Sequence, residues 1–429
     1  MRNFYEMIRE QESDRLALVE EGKEYTYGEL VKLSQNMGNR LLRKYPEEKV
    51  IFFREKRILD QLISFLGCQA AGKIPLLVPE DARDLPEIGE VPENACMAVM
   101  TSGSTGVPKV LYRRYESWAD FFPVQNEIFG VTPESRMFAQ GSLAFTGNLN
   151  LYMAQFSTGA AMVAANVFDP RRWAEWIEAY KTDVIYLIPR KLLFLPQCIK
   201  KPVTTVRHIL AGSQSMGREE AEKLHRCFPK AGIVLYYGAS ELNYITYLRQ
   251  DQMTQEKSCV GKPFPGVQVS VKDDEIFVTT PYHVEGVACP FSLNDLGHMD
   301  AAGNLYFDGR KDDIVSIRGR KVSLLKIERA LEDIPFIGEA IVAAVEKEGE
   351  KRVAAWVTLC GSEVPAECEK QIYAHLKQTL ANYELPAYCQ VVDSLPHTES
   401  GKKDRKMIKN TNNEKTMQNC NIIKYRCRK

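Results

Sequence analysis

The sequence has little of several things, and each shortage narrows the field. Charge of one sign is not in excess: 56 Lys and Arg balance 56 Asp and Glu, for a net charge of +0. A binding face for nucleic acid or for an anionic bilayer has no support in that balance. No two cysteines have C-x-x-C spacing, and the eleven present are an odd number scattered along the chain. Zinc-ligand spacing and a secreted disulfide framework are both disfavoured, so a reducing, cytoplasmic setting is expected. No run is long and apolar enough to span a bilayer, and Met1-Arg2-Asn3-Phe4-Tyr5-Glu6 has no apolar signal core. Neither export nor membrane insertion is expected. Internal repeats are missing, and so is the Walker A order G-x-x-x-x-G-K-[ST].

What is present is the balance of a soluble globular protein, with 45% hydrophobic and 26% charged residues over 429 positions. That length exceeds one ordinary core and implies two or three domains. Apolar spacing near 3.6 predicts helices from Leu30 through Leu42 and from Ile58 to Ala71, the second ending at Gly72. Short apolar runs predict strands at Val50–Phe53, Ile74–Val78, Ala160–Ala165, Val184–Ile188, His208–Leu210 and Ile233–Tyr237. Strands alternating with helices predict α/β layers around a largely parallel sheet. Residues 79–94, rich in Pro, Asp and Glu, read as a solvated loop.

Beyond about residue 265 the texture changes. Val267–Val271 and Glu275–Val278 alternate as half-exposed antiparallel strands do. After the charged stretch Gly309-Arg310-Lys311-Asp312-Asp313 come a helix (Leu324–Leu331), two strands (Ala340–Val345 and Val353–Leu359) and a helix (Glu367–Leu380). These suit a small α+β domain. The polar, basic end from Lys409 reads as a disordered tail.

Chemistry concentrates first at Thr101-Ser102-Gly103-Ser104-Thr105-Gly106-Val107-Pro108-Lys109, directly after a predicted strand. Gly103 and Gly106 permit close approach of main-chain N–H groups. Thr101, Ser102, Ser104 and Thr105 carry hydroxyls, and Lys109 adds a positive charge. The set suits the oxygens of a polyphosphate.

This segment resembles the signature loop of the adenylate-forming superfamily of acyl- and aryl-CoA ligases, nonribosomal peptide adenylation domains and luciferases. Five further blocks extend the resemblance in the right order, from about residue 20 to 406. They are Tyr25-Thr26-Tyr27-Gly28-Glu29-Leu30; Leu66-Gly67-Cys68-Gln69-Ala70-Ala71-Gly72; Tyr237-Gly238-Ala239-Ser240-Glu241; Asn294-Asp295-Leu296-Gly297-His298 with Gly303 to Arg310; and Leu395 to Lys402. Arg310-Lys311-Asp312-Asp313 with Ile317-Arg318-Gly319 resembles the family's hinge block.

The resemblance implies an α/β fold: a large N-terminal domain (1–309) of layered α/β subdomains plus a small β-barrel-like part. A hinge (310–313) then leads to a small mobile α+β C-terminal domain (314–407) and a tail (408–429). It implies the following roles. Glu241 is the Mg²⁺ ligand, with Ser240 near the α-phosphate. Thr101 to Gly106, Lys109, Gly212, Ser213, Tyr237, Gly238 and Ala239 form the ATP/AMP site together with Asp295 and Arg310. Lys402 is the catalytic lysine, its ammonium placed where charge develops on phosphoryl oxygens. Asp312 is the hinge residue, and Gly319 lies along the thiol's path. Asn294 stands where the family usually has glycine.

Gly141 to Asn148 corresponds to the block lining the acyl site. Phe145, Thr146, Gly147 and Tyr236 are pocket candidates, with Ala211 and Gly212 beside them. An ungapped match puts Thr146 where amino-acid-activating members carry Asp for the α-ammonium. An unpaired buried ammonium costs several kcal/mol, so an aryl or aliphatic acid is expected instead of an α-amino acid. Relatives carry another strand and helix between the positions of Leu77 and Ala95, so a smaller sheet and a compact acid are expected. ATP, Mg²⁺ and CoA, or the phosphopantetheine of an acyl carrier protein, are the implied cofactors. The implied reaction is activation of a carboxylic acid to acyl-AMP, then transfer to CoA. Loading of a carrier protein is the alternative, and a non-catalytic nucleotide-binding regulator is an alternative of another class.

Overall fold

In a computed structural model the structure describes residues 2–80, 82, 85–102, 108–347, 350–360, 368–397, 403–405, 407–408 and 422–423. The chain divides into two compact units. The first comprises Met1–Ser270, Phe277–Phe291 and Met299–Leu305; the second comprises Val271–Ile276, Ser292–His298 and Tyr306–Lys429.

The first unit is built on parallel strands. Leu16–Glu20, Ala161–Ala165, Arg136–Gln140, Val184–Tyr186, His208–Gly212 and Gly232–Ala239 lie side by side in that order, each pair parallel. Ala161–Ala165 and Val184–Tyr186 are buried at every position, as strands covered on both faces must be. Antiparallel strands close the two ends, Lys23–Thr26 beside Leu16–Glu20 and Asn243–Arg249 beside Gly232–Ala239. A second sheet runs Val50–Phe53, Ile74–Leu77, Met97–Ser102, Pro108–Arg113. Its first three strands are parallel and its last is antiparallel. Ile74–Leu77 pairs directly with Met97–Ser102, and no strand or helix intervenes among the described residues.

Two of the sequence blocks are explained by architecture. Thr26 caps the helix Tyr27–Lys44: Glu29 N donates to its Oγ1 at 3.2 Å, and Thr26 N donates back to Glu29 Oε2 at 2.8 Å. This is a reciprocal capping box. In the next block, Gly67 lets the helix Ile58–Ala70 approach Met37 and Ser34, where a Cβ would meet the Met37 side chain at 2.6 Å. Gln69, buried, accepts from the N–H groups of Phe4 and Tyr5 and donates to Cys96 O, tying the N-terminal helix to the second sheet.

Gln268–Lys272, Glu275–Thr279, Phe291–Met299 and Leu305–Arg310 follow one another in strand order, and the division between the units runs through them. The rest of the second unit contains a hairpin, Ile314–Ile317 with Arg320–Ser323, and the helix Leu324–Glu332. Ile337–Lys347 pairs antiparallel with Glu350–Leu359, which pairs parallel with Tyr388–Val391. The helix Cys368–Thr379 completes it. Ile327, Leu331, Val342, Val357, Ile372 and Leu376 form its core. In the segment read as a disordered tail, Ile422–Ile423 pairs with Tyr388–Val391. The nine described cysteines are free.

Replacing Thr26 by Ala is expected to lower stability by about 1 kcal/mol, read as an earlier denaturant midpoint of the N-terminal unit, and Ser at the same position to restore it.

Candidate functional site

Parallel strands put their carboxyl ends on one edge, and there the chain leaves the sheet to form loops able to bind ligands. Here Arg136–Gln140 leads into the block Gly141–Asn148, His208–Gly212 into Ser213, and Gly232–Ala239 into Ser240-Glu241. The register keeps them level: Ala139 pairs with Tyr186, Leu210 with Tyr186, and Gly212 with Tyr236. Ser213 holds a positive φ of 67° at the end of its strand. For a non-glycine residue that is a costly conformation, and such conformations cluster at functional sites.

Ser240 and Glu241 form the turn between the antiparallel strands Gly232–Ala239 and Asn243–Arg249. Alternation along the first strand sends Tyr236 into the core and leaves Tyr237 half-buried on the opposite face. Gly238 is required by close packing, since a Cβ there would meet Asn243 O at 2.6 Å. Glu241 is half-exposed at the tip, and its carboxylate makes no hydrogen bond to another described residue. A lone acidic oxygen donor in this position fits Mg²⁺, a hard ion that takes one or two carboxylates and completes its shell with water and phosphate oxygens.

Behind this turn lies Arg113, fully buried. Its Nη2 donates to Ser240 O at 2.6 Å and its Nη1 to Tyr282 O at 2.9 Å. Burial pulls the guanidinium pKa down to about 9, against the opposing field of Glu241.

The acyl block is set by Gln61, a buried side chain of the helix Ile58–Ala70, whose Oε1 accepts from Leu143 N at 2.6 Å and from Ser142 Oγ at 3.2 Å. Phe145 and Thr146 open the helix Thr146–Ser157. A Cβ on Gly147 would lie 3.1 Å from Phe145, 3.2 Å from the Tyr186 hydroxyl and 3.5 Å from the Tyr236 hydroxyl. Phe145, Gly147 and Tyr236 therefore come together, on a floor made by the 2.9 Å hydrogen bond between Tyr186 and Tyr236. Burial pushes the Tyr186 phenol up to about 12 and raises Tyr236 and Tyr244 as well. These groups stay neutral and offer hydrogen bonds. Gly212 is packed under the Tyr236 ring, where a side chain would collide with it.

Within the second unit, Arg310 Nε lies 3.2 Å from Asp295 Oδ1, and Asp295 is buried. Asn294 has φ of 60°, a left-handed conformation that Asn tolerates better than most residues. That accounts for Asn at a position where the resemblance implies glycine. Arg318 and Gly319 have φ of 49° and 77°, the pattern of a tight two-residue hairpin turn. In the hinge block, Lys311 pairs with Glu275 and Asp313 with Arg405, whereas Asp312 is exposed and makes no ion pair among the described residues. Gly103, Ser104, Thr105, Gly106, Lys402 and the side chain of Ser102 lie outside the described residues. Thr101 pairs across the hairpin with Lys109, which is exposed, so the two ends of the phosphate loop are adjacent. Past Lys402, Lys403 Nζ reaches Glu332 Oε1 at 2.5 Å. Arg405 grips the buried Glu328 through Nε at 3.0 Å and Nη2 at 2.8 Å. Two anchored residues, Lys403 and Arg405, thus follow position 402.

Comparison with known families decides the class. The AMP-binding enzyme model matches residues 77–289, and the AMP-binding enzyme C-terminal domain model matches residues 326–402. The chain belongs to the AMP-binding enzyme family. An uncharacterized acyl–CoA ligase of Bacillus subtilis is 27% identical over 77% of this chain and 71% of its own length. The acetyl-coenzyme A synthetase of the same organism is 24% identical over 72% of this chain and 60% of its own. In fold, the chain is similar to the o-succinylbenzoate CoA synthetase of Bacillus subtilis bound to its acyl-adenylate intermediate. That match has a TM-score of 0.80 at 19% identity and covers 97% of this chain and 98% of that one. The chain is an AMP-forming acid–thiol ligase, which sets aside the reading as a non-catalytic regulator. No helix among the described residues is long and apolar enough to cross a membrane.

Sequence reasoning passed over four side chains of this AMP-binding enzyme. Arg113 and Tyr186 sit in strands and carry no motif. Asn150 follows Thr146 by four positions and Gly147 by three, so it shares their helix face. It is buried, and its amide atoms have no hydrogen-bond partner among the described residues. Lys191, in what reads as ordinary surface charge, donates to Gln140 Oε1 at 2.5 Å beside Gly141, and burial lowers its pKa. Tyr186, Asn150 and Lys191 lie about the acyl block, whereas Arg113 lies behind the Ser240–Glu241 turn.

Gly212→Ala should push the Tyr236 ring out of place and cost about 1–3 kcal/mol by overpacking. Chemical denaturation would read the loss, and a raised KM for the acid would accompany it.

Proposed function

We propose that this enzyme activates a compact aryl or aliphatic carboxylic acid as its acyl-AMP and transfers the acyl group to CoA. The observation that carries the reading is the shared edge of the sheet. The Ser240–Glu241 turn and the acyl block Gly141–Asn148 leave parallel strands of one sheet there, with Val184–Tyr186 and His208–Gly212 between them, over the Tyr186–Tyr236 floor. In the first half-reaction a carboxylate oxygen of the acid forms a bond to the α-phosphorus of ATP, and the bond to the pyrophosphate oxygen breaks. In the second, the CoA thiolate bonds to the acyl carbon and AMP leaves with its oxygen.

The roles follow the residue-by-residue resemblance. Glu241 would hold Mg²⁺, which supplies charge neutralisation for the triphosphate and the leaving pyrophosphate. Ser240 and the hydroxyls and backbone of Thr101 to Gly106, with Lys109, would bind phosphate oxygens. Tyr237 would pack against adenine, with Gly212, Ser213, Gly238 and Ala239 beside the nucleotide. Asp295 and Arg310 would meet the ribose. Lys402 would hold the acid's carboxylate and stabilise charge on the α-phosphoryl oxygens. Asp312 would take up the backbone change as the C-terminal unit changes pose between half-reactions, and Gly319 would leave room for pantetheine. A relative in fold, the o-succinylbenzoate CoA synthetase of Bacillus subtilis, has been solved with ATP and a magnesium ion, which supports this set of ligands.

Two features support a compact acid that is not an α-amino acid. Thr146 carries no charge to pair with an α-ammonium. The space beside Gly147 is limited by Phe145, Tyr186 and Tyr236. The ligase names among the relatives favour CoA over a carrier protein as acceptor.

The deciding assay is pyrophosphate release with ATP, Mg²⁺ and a panel of aryl, short-chain and medium-chain acids, with and without CoA. Release with one acid, sustained only when CoA is present, is the expected result. Release that stalls near one turnover with CoA present would overturn the choice of acceptor. Lys402→Ala should slow adenylate formation by about 100-fold or more, as removal of an electrostatic transition-state contact does. Thr146→Asp should lower kcat/KM for the preferred acid by about tenfold or more, because it buries a carboxylate without a partner. An unchanged value would remove Thr146 from the pocket.

A further inference from the structure

We propose that Arg113 is a positioning residue for the metal-binding turn: its buried guanidinium fixes the Ser240–Glu241 backbone from behind. The proposal rests on the reading of Glu241 as the Mg²⁺ ligand.

Arg113 ends the strand Pro108–Arg113, the strand that carries Lys109 away from the phosphate loop. Its carbonyl accepts from Cys96 N, so its backbone belongs to the second sheet. Its side chain is completely buried, which is rare for arginine and costly unless its donors are used. Three segments use the Nη donors, while Nε has no hydrogen-bond partner among the described residues. Nη1 donates to Ser117 Oγ at 3.2 Å and to Tyr282 O at 2.9 Å, and Nη2 donates to Ser240 O at 2.6 Å. The Trp118 ring lies 5.4 Å from the guanidinium carbon, within cation–π range.

The Ser240 carbonyl belongs to the peptide bond that leads into Glu241. The carbonyl of Glu241 itself accepts from Val284 N at 2.9 Å, and Val284 lies two residues beyond Tyr282. Both peptide groups flanking the Cα of Glu241 are therefore held, one by Arg113 and one by the segment that Arg113 also binds. The same segment is tied back to the phosphate-loop strand, where Glu285 N donates to Tyr112 O at 2.8 Å and Arg114 Nη1 lies 3.4 Å from Glu285 Oε1. What this arrangement fixes is the origin of the Glu241 side chain relative to the strand that returns from the phosphate loop. A ligand held in place before the ion arrives loses less freedom when it binds.

No carboxylate makes an ion pair with Arg113 among the described residues, and Glu241 is the acidic group whose field favours its charged form. The Cys96 thiol nearby is kept neutral by burial. Burial lowers the Arg113 pKa to about 9, which leaves the guanidinium charged at neutral pH. Lysine would keep the charge and lose the planar fork that reaches three acceptors at once.

The test compares Arg113→Lys and Arg113→Met with Glu241→Gln in the full chain. Calorimetric titration of ATP at a series of Mg²⁺ concentrations reads the metal dependence of binding, and hydrogen exchange without nucleotide reads the turn itself. For Arg113→Lys, the Mg²⁺ concentration for half-maximal ATP binding should rise about tenfold, a change of about 1.4 kcal/mol. Exchange should accelerate in the 238–244 segment and not elsewhere, and the acid's KM should stay within about twofold of the parent, since Arg113 touches no part of the acyl block. Arg113→Met should shift further in the same direction. If Glu241→Gln alters the Mg²⁺ dependence and Arg113→Lys does not, the positioning role is wrong. If neither alters it, the assignment of Glu241 falls first and this inference with it. Loss of the folded state in both Arg113 variants would overturn the proposal in favour of a purely structural role.

Discussion

The parallel register of Arg136–Gln140, Val184–Tyr186, His208–Gly212 and Gly232–Ala239 is the constraint on which the rest of this molecule depends. Side chains alternate along a strand, so a slip of one residue would exchange the two faces. Tyr236 would then turn away from Tyr186 and Tyr237 would enter the core. With the register as it is, the acyl block, the Gly212–Ser213 corner and the Ser240–Glu241 turn leave the sheet at one edge. The antiparallel strand Asn243–Arg249 adds the last condition, because it bends the chain back and makes Glu241 the tip of a turn.

The blocks that mark the family do different physical work. Thr26 and Glu29 close a helix end, Gly67 lets two helices touch, and Gln69 joins the N-terminal helix to a sheet. None of these is near the chemistry by that role. Gly319 sits in a turn that requires positive φ whatever else it does. The Tyr237–Glu241 block combines both kinds, since Gly238 is fixed by close packing while Glu241 is half-exposed at the turn. A short motif therefore marks a constraint without saying whether packing or reaction imposes it.

Two buried charges show how the enzyme manages polar groups away from water. Arg113 in the first unit spends its Nη donors on two carbonyls and a hydroxyl. Glu328 in the second unit accepts from Val342 N and from Arg405, and lies 3.5 Å from Lys403. Arg405 also reaches Asp313, next to Asp312, so the residues shortly after position 402 are linked to the 310–313 stretch. Such pairs contribute little net stability compared with apolar packing, yet breaking one strands a charge. Their value lies in holding backbone segments at fixed places.

Much of the fold was legible in the residues themselves. The apolar runs Ile74–Val78 and His208–Leu210 read as strands because a strand covered on both faces must be apolar, and the strands found are Ile74–Leu77 and His208–Gly212. The helix end at Gly72, with φ of 70°, was legible because glycine relieves the strain of that angle. The hairpin Ile314–Ile317 with Arg320–Ser323 was not, because its short strands are interrupted by charge and only pairing defines them. Local pattern and motif order, which depend on a few neighbouring residues, were enough to identify the class of enzyme and the residues expected to bind nucleotide. The company those residues keep was decided in three dimensions. Arg113 is 127 positions from the carbonyl it holds, and Tyr186 is 50 from the hydroxyl it meets. No pattern within one segment encodes such a pairing, because it comes from the order and register of the strands that carry both partners.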